Sequence, residues 1–403
     1  MIIGVLREGK VPPDRRVPLT PLQCAEVMEK FPDAEVVVQT STDRCFTDRE
    51  YTDMGIEIRE DLSNCDILLG VKEVPAEKLI PGKIYMFFSH TIKKQAYNRG
   101  LLRAILSKKI QLVDYEVLTD KNGFRIIGFG RFAGLVGAYN GLRAWGLRNK
   151  IFTLKPAHEC DGLDDMLHQL DDIVLPPVKI AVTGDGRVAG GAVEVLDYMK
   201  VKRLTADEYL NSDNPGCAVY AQVLPQHYVR RRDGEDFDLM HFFNNPGMYE
   251  NAFRPFTVTT DLLISAAYWD PKAPVLFTPE EIKQDNFRIT VISDITCDIE
   301  GSIPSTKRAS TIDDPFYDYD PNTGETVPSF SSDENVTVQA VDNLPCELPK
   351  DASVDFGRNL IDKVFPSLFG DDPDGIIKRA TITIDGKLTE RFSYLKDFAE
   401  GKE

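Results

Sequence analysis

The stretch Asp66–Pro75, DILLGVKEVP, drives an apolar run into Lys72 and Glu73 and stops at a proline. A second run, IYMFFSHTIKKQ, ends at His90, and a third, IQLVDYEVL, ends at Glu116. Short β-branched or aromatic runs bounded by turn residues read as strands. If the first two are neighbours in a parallel sheet, Lys72 and His90 emerge at one carboxyl edge, where open α/β sheets bind ligands. A histidine passes protons near neutral pH, and a lysine does so when desolvation or nearby cations lower its pKa. Glu73 acts the other way and holds Lys72 charged. The same two residues also suit a surface lysine and a satisfied histidine at the core edge, and spacing alone leaves both readings open.

Arginines supply a second kind of chemistry. PPDRRVPLTP places Arg15 and Arg16 just after the first strand-type run, and NGFRIIGFGRFAG contributes Arg125 and Arg131. Guanidinium groups grip carboxylates bidentately, although in so acidic a chain a given arginine more often pairs with a surface carboxylate. No serine nucleophile elbow or phosphate-transfer loop is present. The five histidines and seven cysteines lack metal-ligand and CxxC spacing. They predict no metal, no disulfide framework and reduced thiols in a cytoplasmic protein.

The clearest mechanical motif is KIAVTGDGRVAGGAVEVLDYM (179–199), which sets Gly184, Gly186 and Ala189 in a G-x-G-x-x-G/A pattern. The first glycine permits the tight turn, the second lets backbone approach a pyrophosphate, and the third small residue lets helix pack on strand. The helix N-terminus then offers unpaired N–H groups to the anion. An acid for the adenine ribose belongs about 20 residues on, at the end of the next strand. In VKRLTADEYL, Asp207 and Glu208 come slightly late, and Thr205 stands nearer the place behind Lys202 and Arg203. An acidic tip favours NAD and a basic or neutral one accepts the 2′-phosphate of NADP, so both cofactors stay open here.

These groups need a scaffold. IIGVL, EVVVQ, DILLGV, IYMFF and IQLVDY alternate with helix-type runs across residues 1–150. TPLQCAEVMEKF has Thr20 as N-cap and Pro21 at the first helical position. KKQAYNRGLLRAILSKK is apolar at helical spacing and ends in lysines that suit a helix C-terminus. Alternation of this kind predicts a largely parallel sheet covered on both faces. A small-residue-rich helix, FAGLVGAYNGLRAWGLRNK (132–150), leads to a polar segment closed by Pro176 and Pro177, after which βαβ logic restarts. Residues 302–335 read as a long loop, ENVTVQAVDNLP as a strand, 351–366 as a helix and RATITIDGK as a closing strand.

At 403 residues the chain has room for two domains. With 42% hydrophobic and 28% charged residues it is a folded, globular type. A formal charge of −17 argues against nucleic acid or an anionic membrane as partner. No run reaches the roughly 18 apolar residues of a membrane span, and MIIGVLREGK is too short in apolar residues for a signal peptide.

Taken in order, LRE…RRVPLTP, LLGVKEVP, FFSHTIKKQ, DYEVL and FGRFAGLVGAYNGLRAWG resemble the alanine dehydrogenase/pyridine nucleotide transhydrogenase fold family. DLLISAAYW, SDITCDIEGSIPST, TIDDPFYDYD and VDNLPCELPKDAS narrow the resemblance to lysine-forming saccharopine dehydrogenases and lysine–ketoglutarate reductases. The resemblance implies an α/β protein of two Rossmann-like domains with largely parallel sheets and a cleft between them. Residues 1–145 with 345–403 would form a discontinuous substrate domain, and 146–344 the dinucleotide domain.

It also implies reversible, NAD- or NADP-dependent chemistry joining L-lysine and 2-oxoglutarate into saccharopine. Lys72 and His90 fall on the acid–base pair, Glu73 and Glu116 on carboxylates that tune it, and Arg16 and Arg125 on substrate-carboxylate anchors. Gly184, Gly186, Arg187 and Val188 fall on the cofactor turn, with Asp207, Tyr268 and Asp298 as further cofactor-side candidates. Arg131 stands where lysine-forming relatives carry an aromatic residue, a departure that bears on substrate. Two other readings are an alanine dehydrogenase, in which ammonia and pyruvate replace lysine and oxoglutarate, and a non-catalytic nucleotide sensor. The arginine and glutamate set argues against the first, and retention of both Lys72 and His90 against the second.

Overall fold

Six strands of the N-terminal region pair parallel, because each is reached through a crossover rather than a hairpin. The structure, a computed structural model, describes residues 1–9, 14–212 and 215–402. It divides into two units, 1–129 with 349–403 and 130–348. In the first, the sheet order is Lys387–Leu388, Thr381–Ile384, Gln111–Asp114, Ile84–Phe87, Ile67–Leu69, Ile2–Val5, Glu35–Gln39, Glu57–Arg59. All pairs from Gln111–Asp114 to Glu57–Arg59 are parallel, and the last two strands of the chain add an antiparallel edge.

Side chains alternate between two cores, as the period of two requires. Ile3, Val5, Ile67, Leu69, Met86 and Val113 face one core with Cys24 and Val27 of the helix Pro21–Lys30. Leu68, Tyr85, Phe87 and Leu112 face the other with Leu101, Leu102 and Ile105 of the helix Arg99–Ser107. The Thr20 cap is a full capping box, Thr20 Oγ1 accepting from Gln23 N and Thr20 N donating to Gln23 Oε1. The stretch before Arg99 departs from the expected helix. Lys94 takes a left-handed φ of 54°, and short 3₁₀ turns at Thr91–Lys93 and Ala96–Asn98 replace the first helical turns.

The second unit has its own sheet, in the order Thr326–Val327, Phe316–Tyr319, Val336–Gln339, Val291–Asp294, Leu262–Ser265, Lys179–Thr183, Val219–Val223, Lys202–Leu204. Its six central and C-side strands are parallel, and Phe316–Tyr319 and Thr326–Val327 are antiparallel. The segment 302–335 read as loop therefore contributes two strands, Phe316–Tyr319 and, at the sheet edge, Thr326–Val327. The expected helix at 351–366 begins at Pro349 and continues through a π turn, Leu360–Val364, to Phe369.

The small-residue helix spans Gly130–Asn149 and lies wholly in the second unit, so the first boundary falls at 129/130 rather than at 145. Backbone contact explains this placement. A Cβ at Gly134 would sit 1.9 Å from Val188 O, and one at Gly191 would sit 2.0 Å from Arg131 O. The helix is thus locked by glycines onto Arg187–Tyr198, the helix that follows the glycine turn. Among the described residues no helix is long and apolar enough to cross a membrane.

Candidate active site

Strand pairing continues past the ends of Ile67–Leu69 and Ile84–Phe87. Gly70 N donates to Met86 O at 3.0 Å and Phe88 N to Val71 O at 3.1 Å. Lys72 and His90 consequently leave the sheet on adjacent tails at its carboxyl edge. His90 takes φ 53°, a left-handed conformation that costs a non-glycine residue about 1–3 kcal/mol and concentrates at functional sites. Its Nδ1 lies 3.2 Å from Glu116 Oε2.

Glu116 is the hub of a cluster. Its Oε1 meets Lys93 Nζ at 3.3 Å and Arg125 Nη2 at 3.4 Å. Burial raises its pKa, but the hydrogen bond from His90 and the charges of Lys93, His90 and Arg125 outweigh it and hold the carboxyl down at about 2. Arg125 reaches Glu116 because the chain turns back between 118 and 126, with Ile126 N donating to Leu118 O. Asp114, the last residue of its strand, anchors both neighbours. Its Oδ1 accepts from Glu116 N at 2.7 Å, and its Oδ2 accepts from Ser89 N at 3.1 Å and from Ser89 Oγ. Burial pushes this carboxyl up to about 6, against the pull of the Ser89 bonds.

Glu8 does for Lys72 what Asp114 does for His90. Its Oε1 accepts from Val71 N at 2.6 Å and its Oε2 from Lys72 N at 2.9 Å. Burial, then the negative charge of Asp14, push the Glu8 carboxyl up to about 8, with the Val71 and Lys72 N–H groups and Arg16 opposing. Glu73, next in sequence, has a buried Oε2 without a hydrogen-bond partner.

Arg16 is placed differently from a surface anchor. It is 3% exposed, grips Asp14 through Nε to Oδ1 at 3.0 Å and Nη2 to Oδ2 at 2.6 Å, and stacks 4.0 Å over Phe129. The helix Pro349–Asn359 steadies that loop, since Ser353 Oγ accepts from Val17 N. Arg131, the departure from the relatives' aromatic residue, forms a bidentate pair with Glu194 on the helix Arg187–Tyr198.

In the second unit Gly184 takes φ +88°, which suits glycine and turns the strand Lys179–Thr183 into the helix Arg187–Tyr198. Gly186 and Arg187 are exposed and Val188 half-buried at that helix's N-terminus. No side chain caps it, and a Cβ at Gly186 would meet nothing within 4 Å. A free helix end with open space above a glycine fits a pyrophosphate. Asp298 is exposed in the turn after Val291–Asp294, and Tyr268 is 86% exposed after Leu262–Ser265.

Asp207 stands on a helix rather than at a strand tip. The strand ends at Leu204, Thr205 becomes an N-cap, and Asp207 lies in the first turn of the helix Ala206–Asn211, with Glu208 closing the capping box. The strand beside Lys179–Thr183 is moreover Val219–Val223, which displaces Lys202–Leu204 to the edge. The group next to the glycine turn is therefore Gln222, whose Nε2 donates to Gly184 O at 2.9 Å and whose Oε1 accepts from Arg203 at 2.7 Å. Arg203, Thr205, Asp207, Gln222 and His227 line a cavity of about 500 Å³ there.

The motifs did not single out Glu8, Lys93, Asp114 or Gln222 as site groups, and they placed Arg203 only behind the expected ribose position. For Glu8 and Asp114 a signal existed, an acid at or just past the end of a strand-type run. For Gln222 there was none, because its place depends on strand order.

Residues 4–136 match the family described as alanine dehydrogenase/PNT, N-terminal domain. The alpha-aminoadipic semialdehyde synthase of Arabidopsis thaliana is 30% identical over 98% of this chain and 41% of its own length, and that of Mus musculus 29% identical over 100% and 48%. The chain thus spans about half the length of these relatives. A saccharopine dehydrogenase [NAD(+), L-lysine-forming] of Emericella nidulans is 24% identical over 88% of this chain and 89% of its own. Among solved structures, an L-alanine dehydrogenase shares the fold with a TM-score of 0.64 at 16% identity, covering 99% of both chains. The resemblance read from the motifs is borne out: the N-terminal third matches the alanine dehydrogenase/PNT N-terminal-domain family, and similarity to the semialdehyde synthases and saccharopine dehydrogenases runs through nearly the whole chain.

Proposed function

We propose that this chain is a nicotinamide-dependent oxidoreductase acting on a CH–NH bond, reversibly reducing the imine of L-lysine and 2-oxoglutarate to saccharopine. The observation that carries the reading is the sheet-edge cluster of the first unit, where the Lys72 and His90 tails lie side by side and Glu116 gathers His90, Lys93 and Arg125. The related semialdehyde synthases and saccharopine dehydrogenases support it.

The reaction joins a primary amine to a ketone, expels water and reduces the resulting C=N bond. When bound, NADH or NADPH supplies the hydride. The residues that would hold it are the backbone N–H groups of Gly186, Arg187 and Val188, with Gly184 giving the turn and Tyr268 and Asp298 flanking. Arg203 beside the uncharged Thr205 and Gln222 suits a 2′-phosphate, which favours NADPH.

Proton traffic falls to Lys72 and His90. One takes a proton from the attacking ammonium of the substrate, and one delivers a proton to the carbinolamine oxygen so that it leaves as water. Glu116, ionised at any physiological pH, faces His90 Nδ1 at 3.2 Å and orients the ring. Glu73 Oε2, buried and without a partner, is placed to accept from a cationic amine. Arg125 and Lys93, each about half-exposed, offer donors to substrate carboxylates. Arg16 can join them only by loosening its grip on Asp14.

Small metabolites rather than nucleic acid are the partners this charge supports, and the scattered cysteines favour the cytoplasm. The test is the near-ultraviolet absorbance of the reduced nicotinamide, with NADH and NADPH in separate cuvettes and L-lysine plus 2-oxoglutarate added together. Oxidation that needs both substrates supports the reading. Oxidation with pyruvate and ammonia alone refutes it.

A further inference from the structure

A cavity of about 350 Å³ opens in the first unit and has no part in the chemistry above. Its walls come from the carboxyl ends of four neighbouring strands. Arg7 follows Ile2–Val5, Gln39 closes Glu35–Gln39, Asp61 follows Glu57–Arg59, and Val74 and Lys78 follow Ile67–Leu69. The chain winds from Ile2–Val5 outward to Glu57–Arg59, then crosses back to Ile67–Leu69 on the other side of Ile2–Val5, so the winding direction reverses there. Open α/β sheets receive ligands in the crevice that such a reversal leaves. None of Lys72, His90, Glu116 and Arg125 lines this one.

The charges on its walls leave one of each sign over. Arg7 and Glu60 engage each other, Nη2 to Oε1 at 3.0 Å, and Arg7 Nη1 also donates to Thr40 O. Asp61 accepts from Ser63 N at 2.9 Å and Ser63 Oγ at 2.7 Å, and among the described residues no cation pairs with it. Lys78 likewise has no carboxylate partner among the described residues. Its turn, Ala76–Lys78, is pinned by Lys108 Nζ, which donates to Ala76 O at 2.8 Å. Leu62, Val74 and Ile80 add apolar wall. A free anion and a free cation beside apolar wall suit a small zwitterion with a hydrocarbon side chain. The volume agrees, lying at the low end of the roughly 300–1,000 Å³ of small-molecule sites.

We propose that this cavity is an effector site for a zwitterionic α-amino acid with an aliphatic side chain, its ammonium on Asp61, its carboxylate on Lys78 and its side chain on Leu62, Val74 and Ile80. The wall segments also carry the clamp on Lys72. Glu8, between the wall residues Arg7 and Gly9, holds Val71 N and Lys72 N. Gly9 packs so closely on Pro75 that a Cβ there would sit 2.7 Å from Pro75 Cδ, so the two segments meet. A ligand that draws Lys78 toward Asp61 presses Pro75 onto Gly9 and favours the clamped state of Lys72. A ligand that binds one state better shifts the population toward it. That link rests on the proposed function; the binding itself does not.

The test is calorimetric titration of the intact protein, Asp61→Asn and Lys78→Gln with L-leucine, isocaproate (no ammonium) and isoamylamine (no carboxylate). Turnover of L-lysine and 2-oxoglutarate is then followed with and without L-leucine. Both positions are exposed, and asparagine keeps an acceptor for Ser63 N, so both variants fold and turn over like the parent when L-leucine is absent. The parent binds L-leucine, each variant binds it about tenfold more weakly, and each analogue binds the parent about tenfold more weakly. Saturating L-leucine raises the parent's kcat about fivefold without competing with L-lysine. No binding at about 10 mM, binding that both variants keep unchanged, or competition with L-lysine overturns the site. Binding that both variants weaken, with turnover unchanged, overturns the link to Lys72. The same binding in a protein that turns over no L-lysine with 2-oxoglutarate overturns the proposed function and leaves the site standing.

Discussion

Replacing Glu8 by glutamine separates the carboxyl's charge from its shape. The unfolded chain titrates Glu8 near 4.5, and the fold raises it to about 8, chiefly by burial and the nearby Asp14. A raised carboxyl binds its proton more tightly when folded, so its contribution to stability is fully present below pH 4.5 and is lost as pH rises through about 8. The slope is about 1.4 kcal/mol per pH unit, and the loss across the window is at most roughly 5 kcal/mol. Glutamine does not titrate. It offers one acceptor to Val71 N and Lys72 N where Glu8 offers two, and leaving one buried N–H unpaired costs about 1–3 kcal/mol. Urea unfolding of both proteins from pH 5 to pH 9 therefore yields two curves that converge: Glu8→Gln is the less stable at pH 5 and draws level with or passes the parent by pH 9. A stability difference that stays constant over that range refutes the reasoning. It would mean that the Glu8 carboxyl is already ionised at pH 5 and that the clamp on Lys72 is not a charge-sensitive element.

Other substitutions probe the remaining parts of the site. Lys72→Met lowers turnover by about 10²- to 10⁴-fold, and fluorescence titration finds dinucleotide affinity near that of the parent. Glu116→Gln removes a carboxylate held at about 2; such a group stabilises above its ordinary 4.5 and loses that contribution as pH falls through about 2. With Lys93 and Arg125 half-exposed and screened, the variant loses on the order of 1–2 kcal/mol at neutral pH, and the two melting curves approach each other below pH 3. Gly186→Ala keeps its melting temperature, since the added Cβ meets nothing, but loses dinucleotide binding because the methyl occupies the anion's approach. Arg203→Gln lowers the ratio of NADPH to NADH turnover by about tenfold, and an unchanged ratio removes Arg203 from cofactor choice.

Local chemistry made much of this legible. Thr20, Pro21 and Gln23 define a helix start within four residues, and the Gly184–Ala189 spacing defines a strand–turn–helix, because caps and tight turns depend on neighbours in the chain. Long-range pairing hid the rest. That Val219–Val223 inserts beside Lys179–Thr183 is decided by sheet order, and this puts Gln222 rather than Asp207 next to the glycine turn. The boundary at 129/130 was hidden for the same reason, since the glycines of Gly130–Asn149 read as a connecting helix until their contact with Gly191 is seen. Sequence shows Arg16 and Asp14 two residues apart but not that they pair, because their meeting depends on how the loop after the first strand folds.

The most direct test of the central claim follows the hydride itself. Protein is given L-lysine, 2-oxoglutarate and a reduced nicotinamide nucleotide deuterated at the transferable position, and the products are read by mass spectrometry. The account predicts a single condensed product, lysine plus oxoglutarate less one water and plus one deuterium and one hydrogen, with the deuterium at the carbon that was the ketone. Deuterium found in alanine from added pyruvate and ammonia, or in the hydroxy acid of oxoglutarate with no condensed product, contradicts it.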